Sequence, residues 1–563
     1  MKDLYNSVRS FLKRWWIFKK MVNALILLLV VLAWFLGGYF IYGKFIERKL
    51  VKLTNEKTPA HLIKNNIDYK PTKKIFLFGH HFASIAGTGP IIGPILAVSY
   101  FGWLFVVLWI AVGSIFIGAI HDYLTLMISV RNKGEGIAKI SEKITGKRTF
   151  YIFSILLWLT LMLITTVFSV SSAESLVKVP ELIIPFFGIT LTALLLGLAI
   201  YKFKAKRFIS SLIATIFVIF FIWLGVIFPV SLPFSESISL IFWIAVLFVY
   251  AFIVSLIPIW LVLQPRDYIS SINLFLFLGI GLIAVIFARP EMNAPIILAS
   301  NLPLWPILFI TVACGSVSGF HALVSSGTTS KQLDKEKDAK FIGYGGMLSE
   351  GLLAILVVIF VSAGLKWGAP VLGDMNFFQN ALSEGWIVAF SRGFANIVNS
   401  AFPFLGISIL IIFGSLMINT FIITSLDSSA RIGRMIAEEA FPKKAWINNK
   451  IILTLLILIP AFILAVTNSY STLWRMFGAS NQLIASVVLI AISAYLVEHK
   501  KQILYTLIPS VFMIVTTLGA LFYGLFSKTG YIFGELNIPL IVISGLLIIF
   551  AVFVSIEIFL KIF

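Results

Sequence analysis

Long apolar runs alternate along this chain with short polar segments, most of them basic. A run of about 20 apolar residues is enough to cross the hydrocarbon core of a bilayer as a helix. The pattern predicts spans near 21–42, 76–98, 101–130, 149–172, 182–201, 208–228, 238–263, 269–288, 303–326, 342–366, 403–426, 451–467, 473–496, 503–526 and 538–561. The apolar segment Glu384 to Ser400 carries Arg392 and reads as an interfacial helix or a further element. The expected fold is an all-α polytopic membrane protein of about 15 transmembrane helices, with extra helices at both ends. Basic stretches at 44–74, 131–148, 202–207, 331–340, 431–450 and 499–501 fall on one side of these spans. That side is expected to be cytoplasmic. The chain divides into an N-terminal interfacial helix, first span and basic loop (1–75), a transport core (76–426), and C-terminal helices forming a scaffold or dimer surface (427–563).

The run from Gly79 to Ser99 interrupts itself. Gly87, Gly89, Pro90, Gly93 and Pro94 remove side-chain cover and backbone donors at bilayer depth, beside His80, His81, Ser84 and Thr88. Exposed backbone is tolerated in a membrane only where it is buried in protein or lines a cavity, so this break is the candidate substrate site. A second interruption, Ser255 to Tyr268, contains Pro258 and Pro265. It is read as a broken helix five spans later and antiparallel to the first, which predicts a 5+5 inverted repeat. Trp260 and Gln264 would line its pocket. A third polar stretch runs from Cys314 to Lys331. Its glycines and hydroxyls serve either helix packing or a hard cation such as Na⁺, held by Ala86, Thr88, Ser325 and Thr328. Ser326 adds a further oxygen on that stretch. His80, His81 or His321 could instead carry a coupling proton.

Composition narrows the class. Hydrophobic residues make up 60% and charged residues 12% of the 563 positions, which excludes a soluble domain. The net charge of +20 sits in short loops, so it sets orientation and implies no nucleic-acid partner. A single cysteine, Cys314, excludes an intrachain disulfide framework and a cysteine zinc site. His121 and Asp122 lie inside a span, where a carboxylate needs a partner or water. His121, Arg266 or both could supply it, although Arg266 could equally pair with Asp267. Asp427, followed by Ser428 and Ser429, reads as a helix N-cap or as one half of a gate pair. Asn481 and Gln482 are expected to bond between helices.

FGHHFASIAGTGPIIGPILA (78–97), GAIHDYL (118–124), IPIWLVLQPRDY (257–268), GFHALVSSGTTSKQL (319–333), GYGGMLSE (343–350), SLDSSARIGR (425–434) and LWRMFGASNQL (473–483) together resemble the carbon starvation protein A family. The resemblance implies a LeuT-like core related to the amino acid-polyamine-cation transporters. It also implies a multi-pass protein of a bacterial or archaeal cytoplasmic membrane that imports pyruvate or short peptides during nutrient limitation. From the residues, the expected activity is ion-coupled symport of a small nutrient, with H⁺ or Na⁺ as coupling ion, no organic cofactor, and the lipid bilayer and possible homodimerisation as partners. The alternatives are a nutrient receptor and an intramembrane metalloenzyme built on His80, His81, His121 and His321. Against an enzyme, the chain has no HExxH and no GxxxxGK[ST] motif.

Overall fold

The computed structural model describes residues 23–54, 56–63, 69–258, 261–440, 449–534 and 536–562. The expected interfacial helix over 1–20 lies outside the described residues. Among those described there are helices and three isolated β-bridges, and no strand.

In chain order the main helices are α1 (Ala24–Val51), α2 (Lys74–Ile85), α3 (Gly89–Phe101), α4 (Trp103–Arg131), α5 (Lys147–Lys178), α6 (Pro180–Ile200), α7 (Phe208–Ile227), α8 (Glu236–Leu256), α9 (Leu263–Ala288) and α10 (Leu304–Thr311). There follow α11 (Phe320–Val324), which runs on through a wide turn at Ser325–Thr329, then α12 (Glu336–Ala363), α13 (Trp386–Ala401), α14 (Ile407–Ala440), α15 (Lys450–Thr467), α16 (Tyr470–Glu498), α17 (Leu504–Phe526) and α18 (Ile538–Phe559). Thirteen of these helices are long and apolar enough to cross a membrane. The count is fourteen if α2 and α3, bent by 45° at their junction, form one span. The protein is therefore a multi-pass α-helical membrane protein.

Two faces are defined by contacts rather than by composition alone. On one, Arg131 at the end of α4 donates to the Val51 carbonyl at 2.8 Å and meets Glu336 at 3.3 Å, while Lys501 donates to the Leu50 carbonyl at 2.6 Å. The ends of α1, α4 and α16 and the start of α12 are thereby joined, and this is the basic face. On the other, Lys178 bridges Glu236 at 2.8 Å and Glu384 at 3.2 Å. Glu384 to Ser400 becomes α13, an amphipathic helix docked on the bundle rather than lying free at an interface. Its Phe394 ring sits 4.6 Å from Phe277 of α9, and Phe390 joins the same aromatic cluster.

Burial separates centre from rim. In the most apolar window of each helix, 83% of α5 and 89% of α12 and of α16 are buried, against 22% of α1 and 17% of α7. Lipid accepts an apolar face as readily as protein does, so this division follows from packing and not from hydrophobicity. The central helices carry the polar residues: α5 packs along α14, α12 along α3, and α16 against α5.

Candidate functional site

The first break lies where the glycines and prolines place it. Helix α2 ends at Ile85, Ala86–Thr88 leave the helical path, and α3 begins at Gly89 with Pro90 in its first turn, where a missing N–H is harmless. The second break lies elsewhere than expected. Helix α10 stops at Thr311, and residues 312–319 turn irregularly before α11 begins at Phe320. The two breaks cross in contact. A Cβ added to Gly89 would lie 2.3 Å from the Cys314 Cβ, and one added to Gly93 would lie 2.5 Å from the Thr311 carbonyl oxygen. Only the missing side chains allow this approach.

The freed backbone groups find partners. Trp474 Nε1 donates to the Thr311 carbonyl at 3.3 Å, Trp109 Nε1 to Val312 at 3.1 Å, and Ser114 Oγ to Gly315 at 3.1 Å. Asn481 on α16 accepts from the Phe320 N–H at 2.9 Å through its side chain and from Gly319 at 3.1 Å through its carbonyl. Its amide donates to Ser318 Oγ at 3.1 Å and to Cys314 Sγ at 3.2 Å. Gln482 donates to the Phe309 carbonyl at 2.7 Å. Both amides thus bond between helices. The Thr88 hydroxyl stays buried with no hydrogen-bond partner among the described residues.

Several expected site residues stand apart from this crossing. The stretch around Pro258 is a connection between complete spans and not a break within one. Helix α8 is already 21 residues long when it ends at Leu256, so Pro258 falls past the bilayer and Pro265 occupies the first turn of α9. The carbonyls left open there, Val254 and Ile257, each accept from Arg431 Nη2 at 2.8 Å. Gln264 is exposed in the first turn of α9, and Trp260 lies outside the described residues. The grouping of Ala86 and Thr88 with Ser325 and Thr328 is not formed as a ligand set. Thr328 is exposed and its hydroxyl donates to Val324 in its own helix at 3.0 Å. The hydroxyl facing the break belongs to Ser425 of α14, 2.7 Å from a Cβ placed on Gly87. Ser325 is buried without a partner among the described residues. Ser326 donates to Ala322 at 2.6 Å and accepts from the Ile137 N–H at 3.2 Å, and Ser84 donates to the His80 carbonyl at 2.7 Å.

Below the crossing, the histidines and carboxylates form a buried chain. Asp122 on α4 stands 2.8 Å from His121 Nδ1 through one oxygen and 2.8 Å from His321 Nδ1 through the other. His321 Nε2 then lies 3.1 Å from Glu350 Oε2, an ion-pair contact without hydrogen-bond alignment. All three of Asp122, His321 and Glu350 are fully buried. His321 thus stands between two carboxylates, one beside each ring nitrogen, a set of groups able to hold and pass a proton. His81 Nδ1 bonds Thr329 Oγ1 at 2.9 Å, and the His81 ring lies 3.0 Å from a Cβ built on Gly346. Gly346 and Glu350 are one turn apart on α12, so one helix face serves both histidines. His80, by contrast, is only partly buried. Glu350 was not singled out from the sequence, although a lone carboxylate inside the run 342–366 was the available signal.

A second buried charge cluster ties α9 to α14. Arg266 Nη2 meets Asp427 Oδ2 at 2.6 Å, the Tyr250 hydroxyl donates to the same Oδ2 at 3.1 Å, and Arg266 Nη1 donates to the Tyr250 hydroxyl. Arg266 therefore pairs with neither Asp122 nor its neighbour Asp267, which lies beside Thr424. Nor does Asp427 cap a helix, because α14 runs without interruption from Ile407 to Ala440. Among the described residues, no three His, Cys, Asp or Glu side chains are grouped to hold a metal ion.

The family model of carbon starvation protein CstA matches residues 23–369 and 371–520. The chain is 30% identical to the peptide transporter CstA of Campylobacter jejuni, over 88% of this chain and 80% of that one. It is 29% identical to the pyruvate/proton symporter BtsT of Escherichia coli, over 90% and 82%. Against the peptide transporter CstA of Bacillus subtilis, identity is 29% over 88% and 89%. Among solved structures, a manganese transporter of Eremococcus coleocola superposes with a TM-score of 0.52 at 13% identity, covering 89% of this chain and 99% of that one, which is a likeness of fold. With the breaks, the buried polar chain and a family model matching most of its length, the chain belongs to the carbon starvation protein CstA family.

Proposed function

We propose that this protein is a proton-coupled secondary transporter that imports a small carboxylate-bearing nutrient, pyruvate or a short peptide, across the cytoplasmic membrane of a bacterium or archaeon. The observation that carries the reading is the contact of two interrupted helices at Gly89 and Cys314 inside a bundle of membrane-length helices. Interrupted helices in contact at bilayer depth are the usual frame of a transporter's binding site. The relatives named for peptide and for pyruvate/proton transport support the two substrate classes. On this reading α2–α3 and α10–α11 are the first and sixth elements of a 5+5 inverted repeat, the hairpin α6–α7 is inserted after the third, and α10–α11 completes a set of about 15 spans.

The substrate carboxylate would sit at the N-terminus of α3 near Thr88, where unpaired N–H groups carry partial positive charge. The proton would be held between His321 and Glu350. Protonation there changes the charge of a buried cluster, and such a change biases the packing of α4, α11 and α12 against one another. Transport follows from alternation between arrangements open to one face and the other.

The test is uptake of labelled pyruvate, and separately of a labelled dipeptide, into proteoliposomes with an imposed pH gradient or an imposed Na⁺ gradient. Accumulation under the pH gradient alone, lost in Gly89→Val and in Glu350→Gln, is expected. Accumulation driven only by Na⁺, or unchanged in Glu350→Gln, overturns the coupling assignment. No accumulation of either substrate by folded protein overturns the substrate assignment.

A further inference from the structure

The basic face carries one feature that transport does not use. Wide π turns at Gly38–Tyr42 and Glu47–Val51 interrupt the second half of α1, and the stretch between Phe40 and Lys49 is sorted by charge. Its single acid, Glu47, points inward, 3.7 Å from Lys340 Nζ and 3.4 Å from the Tyr123 hydroxyl. Lys44 and Arg48, one turn apart, are exposed and have no counter-ion among the described residues. Lys49 Nζ lies 5.0 Å from the Phe45 ring centre and 5.2 Å from that of Tyr505, and donates to the Tyr505 hydroxyl at 3.2 Å. Phe40, Ile41, Lys44, Phe45, Arg48 and Lys49 together line an open cleft of about 570 Å³.

A general excess of basic loops orients a membrane protein, but it demands neither an apolar wall beneath the cations nor a lysine held between two rings. The cleft joins both. Phe40 and Ile41 are exposed at 62% and 75% on a helix that faces lipid, beside the cationic Lys44 and Arg48. The matching ligand is an amphiphile with an anionic head and an apolar tail. We propose that the end of α1, together with Tyr505, binds an anionic phospholipid of the leaflet at the basic face, with the phosphodiester at Lys44 and Arg48 and an acyl chain along Phe40 and Ile41. Basic pockets at helix ends on this side of a membrane are suited to such headgroups. Phe45 and Tyr505 stack edge to face at 5.3 Å, so the site spans α1 and α17.

The test uses the full-length protein purified in a neutral detergent and examined by native mass spectrometry with added phosphatidylglycerol or with phosphatidylcholine of the same acyl chains. Preferential retention of phosphatidylglycerol is expected. The variant Lys44→Gln/Arg48→Gln should lower its apparent affinity roughly tenfold or more while leaving phosphatidylcholine unchanged. The exposed pair Lys335→Gln/Lys337→Gln, on the same face, should leave phosphatidylglycerol binding as it was. Should the double variant fail to fold, the single variants Lys44→Gln and Arg48→Gln are read the same way, each with a partial loss. Equal retention of the two lipids, an undiminished preference in the variants, or an equal loss in the control pair overturns the proposal. Displacement of the lipid by millimolar inorganic phosphate does so too, since the site would then be one for free phosphate.

Discussion

Two buried charge clusters sit in one bundle and are made of different groups. The Asp122–His321–Glu350 chain contains only groups that exchange protons, whereas the Arg266–Asp427–Tyr250 cluster contains a guanidinium, which does not lose its charge in a protein. The first can change its net charge without breaking a contact. The second keeps a fixed guanidinium charge that needs its carboxylate partner. A coupling site needs the former property and a lock between helices needs the latter, so the composition of each cluster indicates its use.

The largest effect is expected at the lock. Asp427→Ala leaves Arg266 buried and uncompensated, and should cost about 3–5 kcal/mol, read as a loss of thermal stability or of folded yield. Asp427→Leu combined with Arg266→Met should recover most of that stability, because an apolar pair of similar size needs no counter-ion. If the pair is a lock, uptake should not recover with it; wild-type transport by the double variant would reduce the cluster to packing. Next in size is the crossing of the breaks. Gly89→Ala, whose Cβ would lie 2.3 Å from Cys314 Cβ, should destabilise by about 1–3 kcal/mol, and Cys314→Gly should recover part of it in a melting experiment.

The proton-exchanging cluster is tested by function more than by stability. Glu350→Gln keeps the shape and a neutral partner for His321, so the protein should fold while gradient-driven uptake falls at least about tenfold. Exchange of labelled for unlabelled substrate across the same vesicles should persist, since exchange needs no net proton movement. Loss of both would show that Glu350 serves binding or folding instead.

Smallest is a half-buried carboxylate in a loop that shares neither property. The Asn376 backbone N–H, at 2.9 Å, and then Lys366, at 3.1 Å, hold the Asp374 carboxyl below its ordinary range. A depressed folded value contributes stability above the unfolded one and loses it as pH falls through the folded one. Asp374→Asn should therefore melt slightly below the parent at neutral pH and together with it in acid. A difference that persists in acid would point to a contact other than charge.

The first break was legible because Gly87, Gly89, Pro90, Gly93 and Pro94 act locally, through absent side chains and an absent donor. The second was misplaced at Pro258 because a proline says where a helix is weak and not how much of it lies in the bilayer. Counting the 21 residues of α8 up to Leu256 would have moved it out. At Cys314 to Gly319 the same small residues serve packing and unwinding alike, and the sequence does not separate the two. Ser425 and Tyr250 carried no signal, since a hydroxyl acquires its meaning from the element across from it.

By itself the sequence determined the class, the positions of most of the spans, the basic face and the first interruption. Each rests on local physics: the apolar length needed to cross a bilayer, the cost of unpaired backbone there, and the side on which lysine and arginine remain. Tertiary structure decided the partners. Asp122 went to His321 and not to Arg266, Arg266 went to Asp427, and Glu350 joined the histidines. Residues far apart in sequence compete for the same buried charge, and only the packing of α4, α9, α11, α12 and α14 brings one partner to about 3 Å and leaves the others out of reach.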